Sequence, residues 1–132
     1  MLNLEIVTPE KKVFSDTVDA VTVPTESGEV GILASHVPLI SMLKPGVLSY
    51  TRGGASERMV VAGGFVEVSE NNVSILADIA ESAGEIDAEA ARTDSETIQK
   101  ELGAWKGSEE DFVVKREQLE KALARLQITS GR

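Results

Sequence analysis

The chain has 132 residues, no cysteine and a formal net charge of -9, so it can form one modest domain with an appendage but not two large domains. The acidity argues against nucleic-acid binding and a polybasic membrane anchor, and the lack of cysteine excludes disulfide and thiolate chemistry. The first residues do not resemble a signal peptide, and no apolar run approaches the roughly 20 residues that span a membrane, so we expect a reducing compartment and no direct membrane insertion.

The composition changes near Gly84. Residues 1–80 are rich in valine, isoleucine and turn residues and contain all 4 prolines, whereas residues from Glu85 onward are rich in alanine, glutamate, lysine, arginine and glutamine. The segment Glu81–Gly84 has the composition of a short linker. We therefore predict a first part at residues 1–84 and a second part at residues 85–132.

The first part consists of short apolar runs separated by turn residues. Leu2, Leu4 and Ile6 alternate with polar residues, which predicts a strand with one buried face. A brief strand at Val13-Phe14 is predicted to break at Asp16-Thr17. The further predicted strands are Val18–Val23, Leu39–Leu43, Val47–Tyr50, Met59–Ala62, Phe65–Val68 and Val73–Leu76, with hairpin turns at Gly53-Gly54 and Asn71-Asn72. Because no helical pattern interrupts these runs, we predict an antiparallel β-sandwich.

The segment Pro24–Leu39 is predicted to bend while staying within a sheet, because Gly28 and Gly31 fall inside its apolar pattern. We expect its polar residues at the bends and its apolar residues in the core; the former are Glu26, Glu29 and His36, and the latter are Val30, Ile32 and Leu33.

The second part has helical periodicity. Asp87 can cap a first helix and Ser108 a second, because a carboxylate or hydroxyl oxygen accepts the free amide hydrogens of the first turn. The predicted apolar faces are Ala91, Ile98, Leu102 and Trp105 in the first helix, and Phe112, Leu119, Leu123 and Leu126 in the second. These faces are narrow, so an antiparallel two-helix hairpin would be marginal alone and could change its position. The overall fold class predicted is α+β, a sandwich followed by a helical hairpin.

Four basic side chains of the second helix leave two interpretations open. They form either a solvated face paired with Glu117 and Glu120, or a docking edge for an acidic partner. The four residues are Lys115, Arg116, Lys121 and Arg125.

The residues needed for catalysis are not grouped in the sequence. His36 is the only histidine, and no nucleophile and base accompany it at a recognisable spacing. No metal-ligand spacing and no phosphate-binding loop occurs either. We therefore expect a noncatalytic interaction protein that needs no cofactor, with His36 as a structural or interface residue.

Several motifs in one order resemble those of the epsilon subunits of F-type ATP synthases. They are Gly28-Glu29-Val30-Gly31-Ile32-Leu33 with His36 and Pro38-Leu39, then Lys44-Pro45-Gly46, Gly63-Gly64-Phe65, Glu85-Ile86-Asp87, and Lys121–Leu126. The resemblance covers essentially the whole chain. It implies a noncatalytic rotor subunit that binds the gamma subunit and the c-ring, couples ion flow to ATP synthesis, and lies peripherally on the cytoplasmic face of the cell membrane.

The resemblance also implies roles for individual residues. Glu29 would face the c-ring, and His36 and Met42 would lie near the rotor contacts. The helical hairpin would extend to inhibit ATP hydrolysis, and its basic second helix would then meet an acidic segment of the beta subunit through Lys115, Arg116, Lys121 and Arg125.

Some members of this family bind ATP on the hairpin through a motif that is incomplete here. Glu81, Asp87 and Arg125 match positions of that site, but Ala90 occupies the place of the motif arginine and Lys121 replaces another arginine. Lysine cannot form the same bidentate fork on phosphate. We therefore predict weak or no ATP binding.

A free-standing ligand-binding β-sandwich that dimerises through its helical arm is the alternative from a different functional class. Co-purification with gamma and c subunits would distinguish the rotor subunit from this alternative.

Overall fold

The structure is a computed structural model that describes residues 1–129; residues 130–132 of the predicted second part lie outside the described residues. The described strands form two sheets of five strands. The first sheet has the order β2-β1-β9-β8-β5, with β1 (Leu2–Val7), β2 (Lys12–Val18), β5 (Leu39–Met42), β8 (Phe65–Ser69) and β9 (Asn72–Leu76). The second has the order β10-β7-β6-β3-β4, with β3 (Ala20–Thr25), β4 (Gly28–Leu33), β6 (Gly46–Arg52), β7 (Ala55–Ala62) and β10 (Ile79–Ser82).

The two sheets form the predicted β-sandwich. Their neighbouring strands are antiparallel except β1 and β9, which pair in parallel from Asn3 opposite Asn72 to Val7 opposite Leu76. Most of the sandwich lies between β1 and β9 in the chain, so this parallel pair needs no helical crossover. The prediction of the sandwich is confirmed.

The core lies between the sheets and follows the alternation of each strand. Leu2, Leu4 and Ile6 are buried as predicted. In β4, Ile32 is buried but Leu33 is 64% exposed, because successive residues of a strand point to opposite faces. The prediction that Leu33 faces the core is therefore wrong.

Several predicted boundaries differ from the structure. β2 continues through Asp16 and Thr17, where Thr17 pairs with Asn3 of β1, and Asp19 separates β2 from β3 as the chain passes between the sheets. Val18–Val23 is thus two strands rather than one. Glu81 belongs to β10, opposite Val60 of β7, rather than to a linker, and the positive φ angles of the second hairpin fall at Glu70 and Asn71.

The helical hairpin consists of α1 (Ala88–Gly103) and α2 (Glu109–Thr129), reached through a 3₁₀ turn at Ala83–Glu85. Both predicted caps are present: Asp87 Oδ1 accepts from Ala90 N at 3.1 Å, and Ser108 Oγ accepts from Asp111 N at 3.1 Å. Trp105 lies beyond α1, where Nε1 donates to Ser108 O at 3.0 Å. The hairpin is confirmed, although α1 ends before Trp105.

The packing of α2 changes the predicted apolar faces. α2 lies between α1 and strands β6 and β7 of the second sheet, so it has two neighbours rather than one. Leu123 is 44% exposed, whereas Ala122, Ala124 and Ile128 are buried. In α1 the buried residues include the polar Ser95, whose Oγ donates to Arg92 O at 2.8 Å.

Gly64 joins β7 to β8 at a φ of +90°, and a Cβ there would collide with the carbonyl oxygen of Leu76. We expect Gly64→Ala to lower the free energy of unfolding by about 2–4 kcal/mol, because a left-handed backbone and a backbone clash act together. Urea unfolding measures this loss. Gly31→Ala is the matched control, since nothing lies within 4 Å of its Cβ position; equal losses in both variants would contradict the prediction.

Candidate functional site

The outer face of the first sheet carries a row of apolar side chains across four strands, of which three are exposed and one, Val7, is half-buried. Pairing places Val7 beside Leu76, Leu76 beside Phe65, and Phe65 beside Met42. We call these four residues the apolar row. Leu76 and Phe65 are more than a third exposed, Met42 is 53% exposed, and Ile40 on the same face of β5 is 72% exposed. An exposed apolar patch of this kind is typical of a protein-binding surface.

The opposite end of this face is polar. Thr17, Asn3, Asn72 and Ser69 are cross-strand neighbours at the opposite end of the strands, and Asn3 Nδ2 donates to Asn72 Oδ1 at 3.1 Å. Polar and apolar residues are therefore segregated along the strands. A cleft of about 320 Å³ at the apolar end is lined by Val7, Pro9, Phe65 and Leu76 among others.

On the outer face of the second sheet, α2 covers strands β6 and β7. Ala124 and Ile128 of α2 form a small buried cluster with Val60 of β7, against which Val47 and Ile86 also pack. Ile128 is the only large apolar side chain that α2 contributes to this cluster, and full burial of one such side chain stabilises by only about 1.5–3 kcal/mol.

Two ion pairs join α2 to the sandwich. Arg125 makes a bidentate contact with Glu81, with Nε to Oε1 at 2.7 Å and Nη2 to Oε2 at 2.9 Å. Lys44 Nζ lies 3.4 Å from Glu120 Oε2. The two pairs have opposite polarity, since α2 supplies the cation in one and the anion in the other.

The structure places the residues predicted to contact the rotor at two ends of the sandwich. Glu29 lies within β4 opposite Pro24 rather than at a bend, and Glu26 N donates to Met42 O at 3.1 Å, so Met42 lies near the start of β4. His36 follows the other end of β4, where His36 N donates to Leu33 O. Glu29 and Met42 are therefore at one end, and His36 is at the other.

The basic residues of α2 do not share one environment. Lys115 Nζ contacts Glu101 Oε2 of α1 at 2.9 Å, and Arg116 Nε lies 4.0 Å from Glu120 Oε1. Lys121 lines a cleft of about 300 Å³ between the two helices. The interpretation as a solvated face paired with Glu117 and Glu120 is thus wrong for Lys115 and Arg125, whose partners are on other elements.

The three residues that match the family's ATP site have other contacts. Glu81 and Arg125 bind each other. Asp87 caps α1 by accepting a hydrogen bond from the backbone N–H of Ala90. Ala90 occupies the place of the motif arginine and therefore offers only this backbone amide. Arg92 Nη1 instead lies 3.5 Å from Glu89 Oε1.

Glu85 closes the 3₁₀ turn at the base of the hairpin. The backbone N–H and the hydroxyl of Ser82 both donate to Glu85 Oε1. These hydrogen bonds, the backbone one more than the hydroxyl one, lower the pKa of Glu85 below its ordinary value of 4.5. Because the pKa is lowered in the folded chain, this contact stabilises the turn above pH 4.5 and is lost as the pH falls through the folded pKa.

Sequence reasoning missed most of the apolar row. Met42 was predicted to lie near the rotor contacts, and Phe65 and Leu76 were assigned to strands without a face, but Val7 was assigned to no strand. Their alternation with buried Ile6, Val66 and Ile75 shows that they point outward. Which of them become neighbours depends on strand order, which alternation does not specify.

Residues 1–129 contain neither a metal-binding cluster nor a membrane-spanning helix. No three histidine, aspartate or glutamate side chains there are grouped so that they could hold a metal ion. Neither helix has both the length and the apolar character needed to cross a membrane.

Comparisons with known proteins agree with the architecture. The family model described as "ATP synthase, Delta/Epsilon chain, beta-sandwich domain" matches residues 1–83. An ATP synthase epsilon chain of Herpetosiphon aurantiacus is 43% identical over 99% of this chain and 96% of its own length, and one from an Anaeromyxobacter species is 39% identical over 96% of each.

A solved structure is similar over nearly the whole chain. One chain of the Euglena gracilis mitochondrial ATP synthase, solved as OSCP/F1/c-ring, has a TM-score of 0.81 at 26% identity, covering 96% of this chain and 79% of that one. The match includes the region of the helical hairpin as well as the sandwich. The chain therefore belongs to the ATP synthase epsilon-chain family.

Proposed function

We propose that the chain is a noncatalytic rotor subunit that binds the gamma subunit and the c-ring, and that its helical hairpin restrains ATP hydrolysis. In this role it transmits rotation driven by ion flow to ATP synthesis. It would lie peripherally at the cytoplasmic face of the cell membrane, attached through the c-ring. Family membership and the similarity to a chain of an F1/c-ring assembly support the proposal.

The observation that carries the proposal is the contrast between the two outer faces of the sandwich. The second sheet is covered by α2 at β6 and β7, whereas Leu76, Phe65 and Met42 of the apolar row on the first sheet are exposed. Burial of the apolar row against another rotor subunit would remove several large apolar side chains from water, which favours a stable attachment. Met42 belongs to this row, and Glu29 lies at the same end of the sandwich.

The double variant Met42→Lys/Phe65→Lys should weaken binding to a purified complex of gamma subunit and c-ring by about 100-fold, because each lysine places a charge in the buried contact. Binding is measured with the immobilised complex, and circular dichroism checks the fold.

Asn3→Lys/Ser69→Lys is the control, since it adds the same charge to the polar end of the same face. Equal weakening by both variants would mean that charge alone matters. Undiminished binding of the first variant would show that the apolar row is not the contact.

The basic side chains of α2 are proposed to contact an acidic segment of the beta subunit when the hairpin extends. Arg125 also binds Glu81 in the docked hairpin, so it is left in place in the test. We expect Lys115→Ala/Arg116→Ala/Lys121→Ala to weaken inhibition of ATP hydrolysis about tenfold, which corresponds to roughly 0.5 kcal/mol per lost charge. Hydrolysis by the reconstituted complex is measured against the concentration of the chain.

The control for this test is Glu110→Ala/Val114→Ala/Gln118→Ala, which alters three exposed positions of the same helix without removing a cation. A chain that ends after Ala83 should still join the complex but no longer inhibit. Inhibition that is unchanged in the basic triple variant, or assembly that fails in the shortened chain, would contradict the proposed role of the hairpin.

ATP is proposed not to be a physiological ligand of this hairpin. The guanidinium of Arg125 is already engaged by the Glu81 carboxylate, and position 90 is alanine. Titration calorimetry should give a dissociation constant for Mg-ATP no tighter than millimolar. A tighter constant that is lost in Asp87→Ala would overturn this expectation.

A further inference from the structure

We infer that the Glu81–Arg125 contact is a latch that fixes both the docked state and the register of α2 on the sandwich. This inference deepens the regulatory role of the hairpin and gains its physiological meaning from that proposed function. The latch itself is a property of the isolated chain, so it can be tested separately.

The Glu81–Arg125 pair differs from the other ion pairs of residues 1–129 in its contact geometry and its exposure. Both nitrogen–oxygen contacts of the guanidinium–carboxylate fork are formed, at 2.7 and 2.9 Å. The two side chains are only 22% and 25% exposed, whereas those of Arg52 and Asp16 are 48% and 52% exposed. A bidentate contact with little solvent is screened less and is stronger than a surface pair.

The pair joins the C-terminal end of α2 to the strand that leads into the hairpin. Glu81 is the next-to-last residue of β10, just before the chain enters the 3₁₀ turn, and Arg125 lies in the last turns of α2, 44 residues later. The neighbouring apolar contact is small, with Ala124 and Ile128 on Val60. The ion pair is therefore expected to supply a large share of the free energy that holds α2 down.

The second ion pair, between Lys44 and Glu120, acts with the latch to set the register of α2 on the sandwich. If α2 slid by one turn of four residues in one direction, Lys121 would face Glu81 but Arg116 would face Lys44, which is repulsive. In the other direction Thr129 and Ala124 would take those places and both attractions would be lost. Of these three registers, only the observed one satisfies both pairs.

The latch is tested by the distance between a spin label on β7 and one on α2. The chain has no cysteine, so Ser56→Cys and Gln118→Cys, both at exposed positions, give unique attachment sites. Double electron–electron resonance on the full chain should show one main distance. Glu81→Gln and Arg125→Ala should each add a second distance population and lower the ratio of docked to undocked chain about tenfold.

Two further variants decide between a specific latch and general loosening. The reversed pair Glu81→Arg/Arg125→Glu should recover most of the docked population. Glu101→Gln removes the partner of Lys115, an ion pair internal to the hairpin, and should leave the ratio unchanged. Circular dichroism confirms that each variant retains its strands and helices.

The latch is overturned if neither single variant lowers the docked population, if the parent chain is itself mostly undocked, or if Glu101→Gln loosens α2 as much as Glu81→Gln. None of these results bears on binding to the rotor or on inhibition of hydrolysis, which are measured in the reconstituted complex. Failure of the latch and failure of the proposed function are therefore distinguishable.

Discussion

The structure depends on the burial of one shared core between two sheets, which leaves each sheet with one outer face. The two outer faces differ in what lies on them. One is covered at β6 and β7 by α2, which is held there by a small apolar cluster and two ion pairs. The other carries the apolar row on one half and polar side chains on the other. The contacts available to partners follow from this difference, because burial of an exposed apolar surface is the main favourable term in protein association.

The attachment of α2 combines weak and specific interactions. A cluster with a single large side chain from the helix provides little hydrophobic free energy, and α1 packs mainly against α2 rather than against the sandwich. The sandwich, by contrast, buries large aliphatic side chains from both sheets. Detachment of the hairpin would thus expose little apolar surface, which is the property expected of a segment that changes position.

Charge has a local role that the net charge of -9 does not indicate. The basic residues of α2 are distributed over three surroundings: Lys115 faces α1, Arg116 lies beside Glu120, and Arg125 binds the sandwich. A cation that stabilises the docked helix cannot at the same time contact a partner. The four residues predicted as one docking edge therefore do not lose the same ion-pair contacts when α2 leaves the sandwich.

The sequence determined the elements whose signals are local. Alternation in Leu2–Ile6 and the glycines at 53 and 54 predicted strands and a hairpin, and Asp87 and Ser108 marked the starts of both helices, because propensity and capping act within a few residues. Tertiary structure decided the parallel pairing of β1 with β9, the neighbours that form the apolar row, the exposure of Leu33 and Leu123, and the Glu81–Arg125 contact. These features join residues that are distant in the chain, and the alternation or helical period of a single segment states which face is apolar but not which other segment will cover it.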